Sequence, residues 1–180
     1  MVNNHRTVGQ LEQFLYSMSE TESLRVRYFE TTLKTLCTLN YPQPAEIGEI
    51  ADVIKNMSIR DALIHAFSSS KPYRDAFFVW WNSNAETMKK LSEFDKAPLL
   101  CLLSAALLID EQHGLAKDAA AKALEYDKTY TNLANLILTA INHDDKFMNN
   151  FSSRVFVDSI TALTLDNILG LEKKEEEEHN

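Results

Sequence analysis

Glycine, proline and cysteine are scarce in this chain of 180 residues, which contains 4 Gly, 4 Pro and 2 Cys. Two cysteines, Cys37 and Cys101, are too few for a disulfide framework. Because tight turns between strands rely on glycine and proline, this composition leaves little material for β-hairpins, and no short strand bounded by turn residues is found. The glycines also stand alone, so the sequence has no glycine-rich loop of the kind that binds phosphate.

Long apolar runs and basic clusters are missing as well. No unbroken run of about 18 apolar residues and no basic-then-apolar leader is found, so we expect a cytoplasmic protein that does not span a membrane. No stretch concentrates Lys and Arg, which argues against nucleic acid or an anionic membrane surface as a partner. The formal charge is −8, and residues 91–180 carry all of it, with 8 Lys and Arg against 16 Asp and Glu.

Apolar residues recur at helical spacing through most of the chain. The pattern predicts an all-α fold, a bundle or short stack of about nine to ten helices. Residues 99–109 are apolar on nearly every side, which predicts a helix at the centre of the protein that is packed from several directions.

Polar residues ahead of these stripes predict where the helices begin. Thr7 with Gln10, Ser19 with Glu22 and Ser58 with Asp61 have the spacing of capping boxes. We also expect Asn84 to cap a helix over residues 85–94. Asp95 is expected to cap the central helix, with Pro98 in its first turn.

The segment Tyr41-Pro42-Gln43-Pro44 predicts a break, because proline lacks the amide donor that a helix needs. It suggests an N-terminal helical pair over residues 1–41 and a main helical domain over 42–170. The like-charge run of Glu175 to Glu178 predicts an acidic disordered tail over 171–180.

One stretch, residues 97–130, fits the 34-residue tetratricopeptide pattern. Ala116 and Ala123 fall where the two helices of such a unit touch most closely, and Ser104 stands where glycine is usual. Shifting the frame by one repeat gives no comparable match. We therefore expect one tetratricopeptide-like helix hairpin rather than an array.

Several short blocks occur in the order and spacing of one known family. They are Ser58-Ile59-Arg60-Asp61-Ala62-Leu63, Trp80-Trp81, residues 97–106, Gly114-Leu115-Ala116, residues 122–127 and residues 129–134. Together they resemble the helical C-terminal part of an actinobacterial domain-of-unknown-function family, number 4192 in that series. The resemblance spans about residues 46–142 and implies a helical module standing alone or a diverged relative; it implies no activity and no catalytic residue.

Three polar residues, Arg60, Asp61 and His65, are candidates for a site. Asp61 and His65 stand four positions apart and share a helix face, as an acid–base pair would. With Trp80 they could line a pocket for a small ligand or a substrate. The structural interpretation is that Asp61 favours the start of the helix and Arg60 forms an ion pair in the packing.

Acidic residues and histidines also cluster twice, at residues 110–113 and 143–145. Neither cluster has the spacing of a known metal site, so we predict no metal and no cofactor. Cys37 and Cys101 lie inside apolar stretches and are expected to be small buried side chains.

The aromatic residues Phe77, Phe78, Trp80 and Trp81 are candidates for a surface that binds a partner or a second copy. Neighbouring residues on a helix cannot all face one way, so core packing accounts for at least some of them. The sequence favours a non-enzymatic helical module that binds a protein partner or itself. A small-ligand-binding protein or enzyme, and an acidic regulator of a basic partner, remain alternatives.

Overall fold

The computed structural model describes residues 20–128 and 131–142. These residues form helices and no strand, so the all-α prediction is confirmed for this part of the chain. The predicted helix after Thr7, the pattern beyond residue 142 and the acidic tail lie outside it, and the predicted total of nine to ten helices stays a prediction. The eight helices are α1 (Glu20–Leu36), α2 (Pro44–Ile54), α3 (Met57–Ser69), α4 (Lys71–Ser83), α5 (Ala85–Met88), α6 (Glu93–Ile109), α7 (His113–Tyr126) and α8 (Thr131–Asn142).

Helix α6 forms the centre of the packing, as predicted. It contacts α2, α3, α7 and α8, and none of its residues from 99 to 109 is exposed. A helix that is apolar on all sides is stable in water only when neighbours cover every face. The composition of this one segment therefore dictates the multilayered arrangement around it.

The start of α6 differs from the prediction. Ser92, not Asp95, is the cap, and its hydroxyl accepts a hydrogen bond from the Asp95 amide at 3.2 Å. Because the helix already begins at Glu93, Pro98 lies inside it rather than in its first turn. Proline has no amide hydrogen, so the Phe94 carbonyl receives no intrahelical bond from position 98.

The cap of α3 also lies upstream of the predicted one. The Asn56 side-chain oxygen accepts hydrogen bonds from the amides of Ser58 and Ile59, at 3.1 and 3.3 Å. Ser58 is therefore a residue of the first turn, and the predicted capping role for it is wrong. Asn is as good a cap as Ser, and here it stands two positions earlier.

The predicted helix over residues 85–94 is wrong as well. The helix that begins at Ala85 ends after four residues, Glu93 and Phe94 already belong to α6, and the side chain of Asn84 makes no capping bond to α5. Its amide instead donates to the carbonyl oxygens of Asn40 at 3.0 Å and Trp80 at 2.9 Å. Asn84 is buried, and its Nδ2 finds interior acceptors, whereas its Oδ1, the atom that would cap the helix, has no hydrogen-bond partner among the described residues.

Helices α6 and α7 form a hairpin with a three-residue connection. Helix α7 packs against the core through one stripe of alanines, at positions 116, 119, 120 and 123. Small side chains let two helices approach closely, and the Ser104 hydroxyl accordingly reaches the Ala116 carbonyl oxygen at 2.6 Å. Glu111 in the connection has φ 61°, a left-handed conformation that favours glycine. The predicted helix pair is thus present, and its tetratricopeptide-like character stays a prediction.

Helix α1 shares the hydrophobic core of the helices that follow it. Its side chains Phe29, Leu33 and Leu36 are buried in the same cluster as those of α3, α4 and α6. The predicted boundary between residues 41 and 42 stays a prediction. None of the described helices has both the length and the apolar character needed to cross a membrane.

Candidate functional site

Two of the four predicted partner-binding aromatics, Phe77 and Trp80, are fully buried. The Phe77 ring stacks on Phe67 of α3 with centroids 4.8 Å apart and lies 6.3 Å from the Trp80 ring. The Trp80 ring N–H donates to the Asn40 side-chain oxygen at 3.2 Å. These two side chains hold α4 against α1 and α3 and offer no surface to a partner.

The other two, Phe78 and Trp81, are half-buried. Trp81 meets Phe77 edge-on with centroids 6.2 Å apart, so its inner edge completes the core and its other side faces outward. Of the four candidate aromatics, only Phe78 and Trp81 are therefore accessible to a partner.

The polar residues Arg60 and Asp61 form an ion pair within α3. Nη2 and Nε of Arg60 lie 2.8 and 2.9 Å from Oδ1 of Asp61. Nε2 of His65 lies 3.4 Å from the Ser69 hydroxyl, one turn further along the same helix. These contacts match the structural interpretation of Arg60 as an ion-pair residue, whereas the proposed pocket with Trp80 is not seen in either cleft described below.

The two cysteines are both free thiols. Burial raises the pKa of Cys101 to about 12, although the nearby charge of Arg60 and a backbone hydrogen bond with Ala134 act in the opposite direction. Cys101 is therefore protonated and unreactive in the folded chain. Cys37 is half-buried, and its thiol donates to the Tyr73 carbonyl oxygen at 3.5 Å.

The acidic cluster at the end of α6 has a structural role. The Asp110 carboxylate accepts from Arg74 Nε at 3.0 Å and from Gln112 Nε2 at 2.7 Å. Arg74 also donates to the Phe67 carbonyl oxygen at 2.8 Å, which links the end of α3 to the end of α6. In the described ranges, no three His, Cys, Asp or Glu side chains converge as metal ligands would. The cluster at residues 143–145 lies outside those ranges.

An apolar cleft lies beside Trp81, where α4, α5, α6 and α7 meet. We name it the lysine-rimmed cleft; its volume is about 220 Å³. The six apolar side chains in it are those of Trp81, Ala85, Met88, Leu91, Leu99 and Leu100. Its polar rim consists of Lys89, Lys96, Lys122 and Tyr126.

Two of the rim ammonium groups converge on one aromatic ring. Nζ of Lys122 lies 4.9 Å and Nζ of Lys96 lies 5.7 Å from the centroid of Tyr126. Such cation–π contacts orient flexible lysine side chains. Lys96 also donates to the Lys89 carbonyl oxygen at 3.1 Å, which fixes the α5–α6 connection on that side of the cleft.

Lys89 and Lys122 also form ion pairs with carboxylates on the protein's own surface. Lys122 lies 3.0 Å from Glu125, and Lys89 lies 2.5 Å from Glu86. The hydrogen bond to Glu125 raises the pKa of Lys122. All four of these side chains are largely solvent-exposed.

The cleft cannot be recognised from the sequence because its charged residues are far apart in the chain. Lys89 and Lys122 are separated by 32 residues, so no basic cluster is visible until the α6–α7 hairpin folds. The useful signal was Trp81, the one candidate aromatic that lines the cleft. Helix α5, which is shorter than the helix predicted over residues 85–94, supplies Ala85 and Met88.

A second, wider cleft of about 580 Å³ lies between α1 and α2. Hydroxyl and aromatic side chains dominate it, including Thr31, Thr35, Tyr28 and Tyr41. One of its carboxylates, Glu46, is engaged in the cap of α2, where it accepts from the Gln43 amide at 2.6 Å. None of the predicted site residues Arg60, Asp61, His65 and Trp80 lines this cleft or the lysine-rimmed one.

Comparisons with known protein families, with curated proteins and with solved structures find no match to this chain. The resemblance to the actinobacterial family stays a prediction, and the function has to be argued from the clefts and their chemistry.

Proposed function

We propose that this chain is a non-enzymatic helical interaction module that binds a protein partner through the lysine-rimmed cleft. The observation that carries the proposal is the open apolar cleft beside the half-buried Trp81. Tryptophan is enriched among the residues that dominate binding energy at protein interfaces. An apolar side chain of the partner would remove the cleft's apolar surface from water, which is favourable.

The size of the cleft supports a side-chain anchor over a small molecule. Pockets for drug-sized ligands are typically about 300–1,000 Å³. At about 220 Å³ the lysine-rimmed cleft is smaller and suits one or two large apolar side chains. The rim supplies lysines and a tyrosine, and the predicted acid–base residues Asp61 and His65 do not line it.

Further features support the finer parts of the proposal. The close contact between Ser104 and Ala116 is compatible with a tetratricopeptide-like hairpin for α6 and α7, a unit common in interaction modules. Two free thiols, Cys37 and Cys101, are compatible with a reducing, cytoplasmic environment. We also retain the resemblance to the helical part of family 4192 as a proposal.

Site-specific photo-crosslinking in the native cells tests the proposal. A benzoylphenylalanine at position 89, on the rim, should give a discrete covalent adduct with a partner protein. Position 55 is a matched control, because Lys55 and Lys89 both cap the end of a helix and both pair with a carboxylate three residues earlier.

The adduct should disappear when Ala85→Phe fills the cleft, provided that circular dichroism shows the variant to be folded. Adducts from position 55 alone, or adducts from position 89 that persist in the filled variant, would contradict the proposal. An adduct with the mass of two copies would make the partner a second copy of this chain.

A further inference from the structure

Resting on the proposed function, we propose that the segment bound in the lysine-rimmed cleft is acidic. It would carry one large apolar residue that enters the cleft and neighbouring Asp or Glu side chains that bind the rim lysines. The proposal rests on charge complementarity between such a segment and the rim.

The rim is a local exception to the charge of the chain. The protein has 26 Asp and Glu against 18 Lys and Arg, yet three lysines line this apolar cleft, two of them paired with Glu86 and Glu125. Ammonium groups next to apolar surface favour ligands that combine a carboxylate with an apolar group. A basic segment would be repelled at the same place.

Lys96 is half-buried at the rim, and its charge is compensated less than those of the exposed Lys89 and Lys122. Its contacts are the Lys89 carbonyl oxygen and the Tyr126 ring, and neither carries a formal charge. Among the described residues, no carboxylate lies within ion-pair distance of its Nζ. Nζ of Lys122 also lies near the Tyr126 ring, 4.9 Å from its centroid.

The remaining lysines can exchange partners at little cost. Lys89 and Lys122 pair with Glu86 and Glu125 three residues away, and these pairs are exposed to solvent. Exposed ion pairs of this kind contribute little to stability. A carboxylate of the bound segment can therefore replace Glu86 or Glu125 without a large loss to the fold.

The expected spacing within the segment follows from taking the segment as a helix. On a helix, residues three or four positions apart share a face. An apolar residue with an acidic residue three or four positions away would place the apolar side chain in the cleft and the carboxylate at the rim.

Selection from a random peptide library displayed on phage tests both proposals separately. The full chain is the bait, and the folded Ala85→Phe variant removes peptides that bind elsewhere. We expect the enriched peptides to contain Leu, Ile, Met or an aromatic residue with Asp or Glu within four positions.

Each alternative outcome has a definite meaning. Enriched peptides that share an apolar residue but have no excess of Asp and Glu would overturn the acidic segment and leave the interaction module intact. If no peptide distinguishes the wild-type chain from the filled variant, both proposals fail. Dimerisation of the chain that Ala85→Phe abolishes would make a second copy the occupant and would overturn the acidic partner.

Affinities of one enriched peptide for lysine variants provide the second readout. Lys96→Gln should weaken binding by about fivefold, as expected for one charge pair, and the loss should shrink at high salt. Lys55 is exposed and distant in sequence from the cleft residues, so Lys55→Gln should leave the affinity within about twofold of wild type. Equal effects of the two substitutions would overturn the proposal.

Discussion

Trp80 and Trp81 are neighbours in the chain with opposite environments. The Trp80 ring is fully buried and bonded to Asn40, whereas Trp81 is half-buried and lines the lysine-rimmed cleft. Successive residues on a helix point about 100° apart, so α4 turns one indole toward α1 and α3 and the next toward α5, α6 and α7. The comparison teaches that the helices around α4, rather than the residue type, decide which tryptophan is available for binding.

The largest effect should separate these two tryptophans. Trp80→Ala is expected to cost about 3–5 kcal/mol of unfolding free energy, because it leaves a cavity in a packed core. Trp81→Ala should cost only about 2 kcal/mol, since half of its surface is already in contact with water. Urea unfolding followed by circular dichroism measures both. Equal losses of unfolding free energy for the two variants would contradict the assignment of Trp80 to the packed core and of Trp81 to the open cleft.

Asn84 is a buried polar residue next to Trp80, and it should contribute to stability through hydrogen bonds rather than through apolar packing. Its side-chain amide donates to the carbonyl oxygens of Asn40 and Trp80, so Asn84→Ala removes both hydrogen bonds; the Trp80 oxygen keeps the backbone amide of residue 84, whereas the Asn40 oxygen loses this donor. We expect a loss of about 1–3 kcal/mol in the same unfolding experiment. Asn82→Ala, an exposed position on the same helix, is the control and should change stability by less than about 0.5 kcal/mol. An equal loss of unfolding free energy for Asn82→Ala would contradict a specific contribution from the buried hydrogen bonds of Asn84.

Asp110 links the N-terminal part of α4 to the end of α6. Its carboxylate should make the stability of this buried contact depend on pH. Hydrogen bonds from Gln112 and from Arg74, together with the Arg74 charge, hold the pKa of Asp110 below its ordinary value. A lowered folded-state pKa means that the carboxylate stabilises the fold above its unfolded pKa of about 4. That contribution is lost as the pH falls through the folded-state value.

The Asp110→Asn variant should therefore be less stable than wild type at pH 7, and the difference should shrink below about pH 4. Unfolding free energies measured from pH 7 to pH 2.5 test this. Asp75→Asn, an exposed carboxylate on α4, is the control. A difference for Asp110→Asn that stays constant across the range would contradict the role of its charge.

The smallest expected change in unfolding free energy concerns the connection between α6 and α7, two of the helices that line the cleft. Glu111 adopts φ 61°, where a side chain costs about 1 kcal/mol relative to glycine. Glu111→Gly should raise the unfolding free energy by about 0.5–1 kcal/mol, part of the gain being offset by greater freedom of the unfolded chain. Glu111→Ala retains a Cβ atom and should give no such gain. A gain of equal size in both variants would place the effect in the Glu111 side chain rather than in the backbone.

Much of the fold could be predicted because apolar spacing reports burial directly. The run of apolar residues at 99–109 predicted a central helix, and α6 is that helix. Helix ends were less accurate, because several neighbouring polar residues can cap the same turn. Asn56 and Ser92 are the N-terminal caps of α3 and α6, where Ser58 and Asp95 were expected. The packing of each helix determines which of these polar residues becomes the cap.

The candidate site could be predicted only in part. Trp81 was identified by its residue type, but so was Trp80, and nothing in the order of residues distinguishes the half-buried indole from the buried one. The rim lysines come together only when α7 folds back on α6, a contact that depends on the alanine stripe and on Ser104. Asp61 and His65 share a face as predicted, yet the Arg60 ion pair lies within α3 and not in either cleft described here.

Acrylamide quenching of Trp81 fluorescence tests the central claim most directly. The chain has two tryptophans, so the Trp80→Phe variant leaves Trp81 as its single tryptophan, which is excited selectively over the tyrosines at the red edge of the absorption band. Binding of a peptide enriched on the lysine-rimmed cleft should bury that indole, and the quenching constant should fall in step with peptide saturation. A peptide that binds, as judged by its own fluorescence anisotropy, while Trp81 remains as accessible as before would contradict the account.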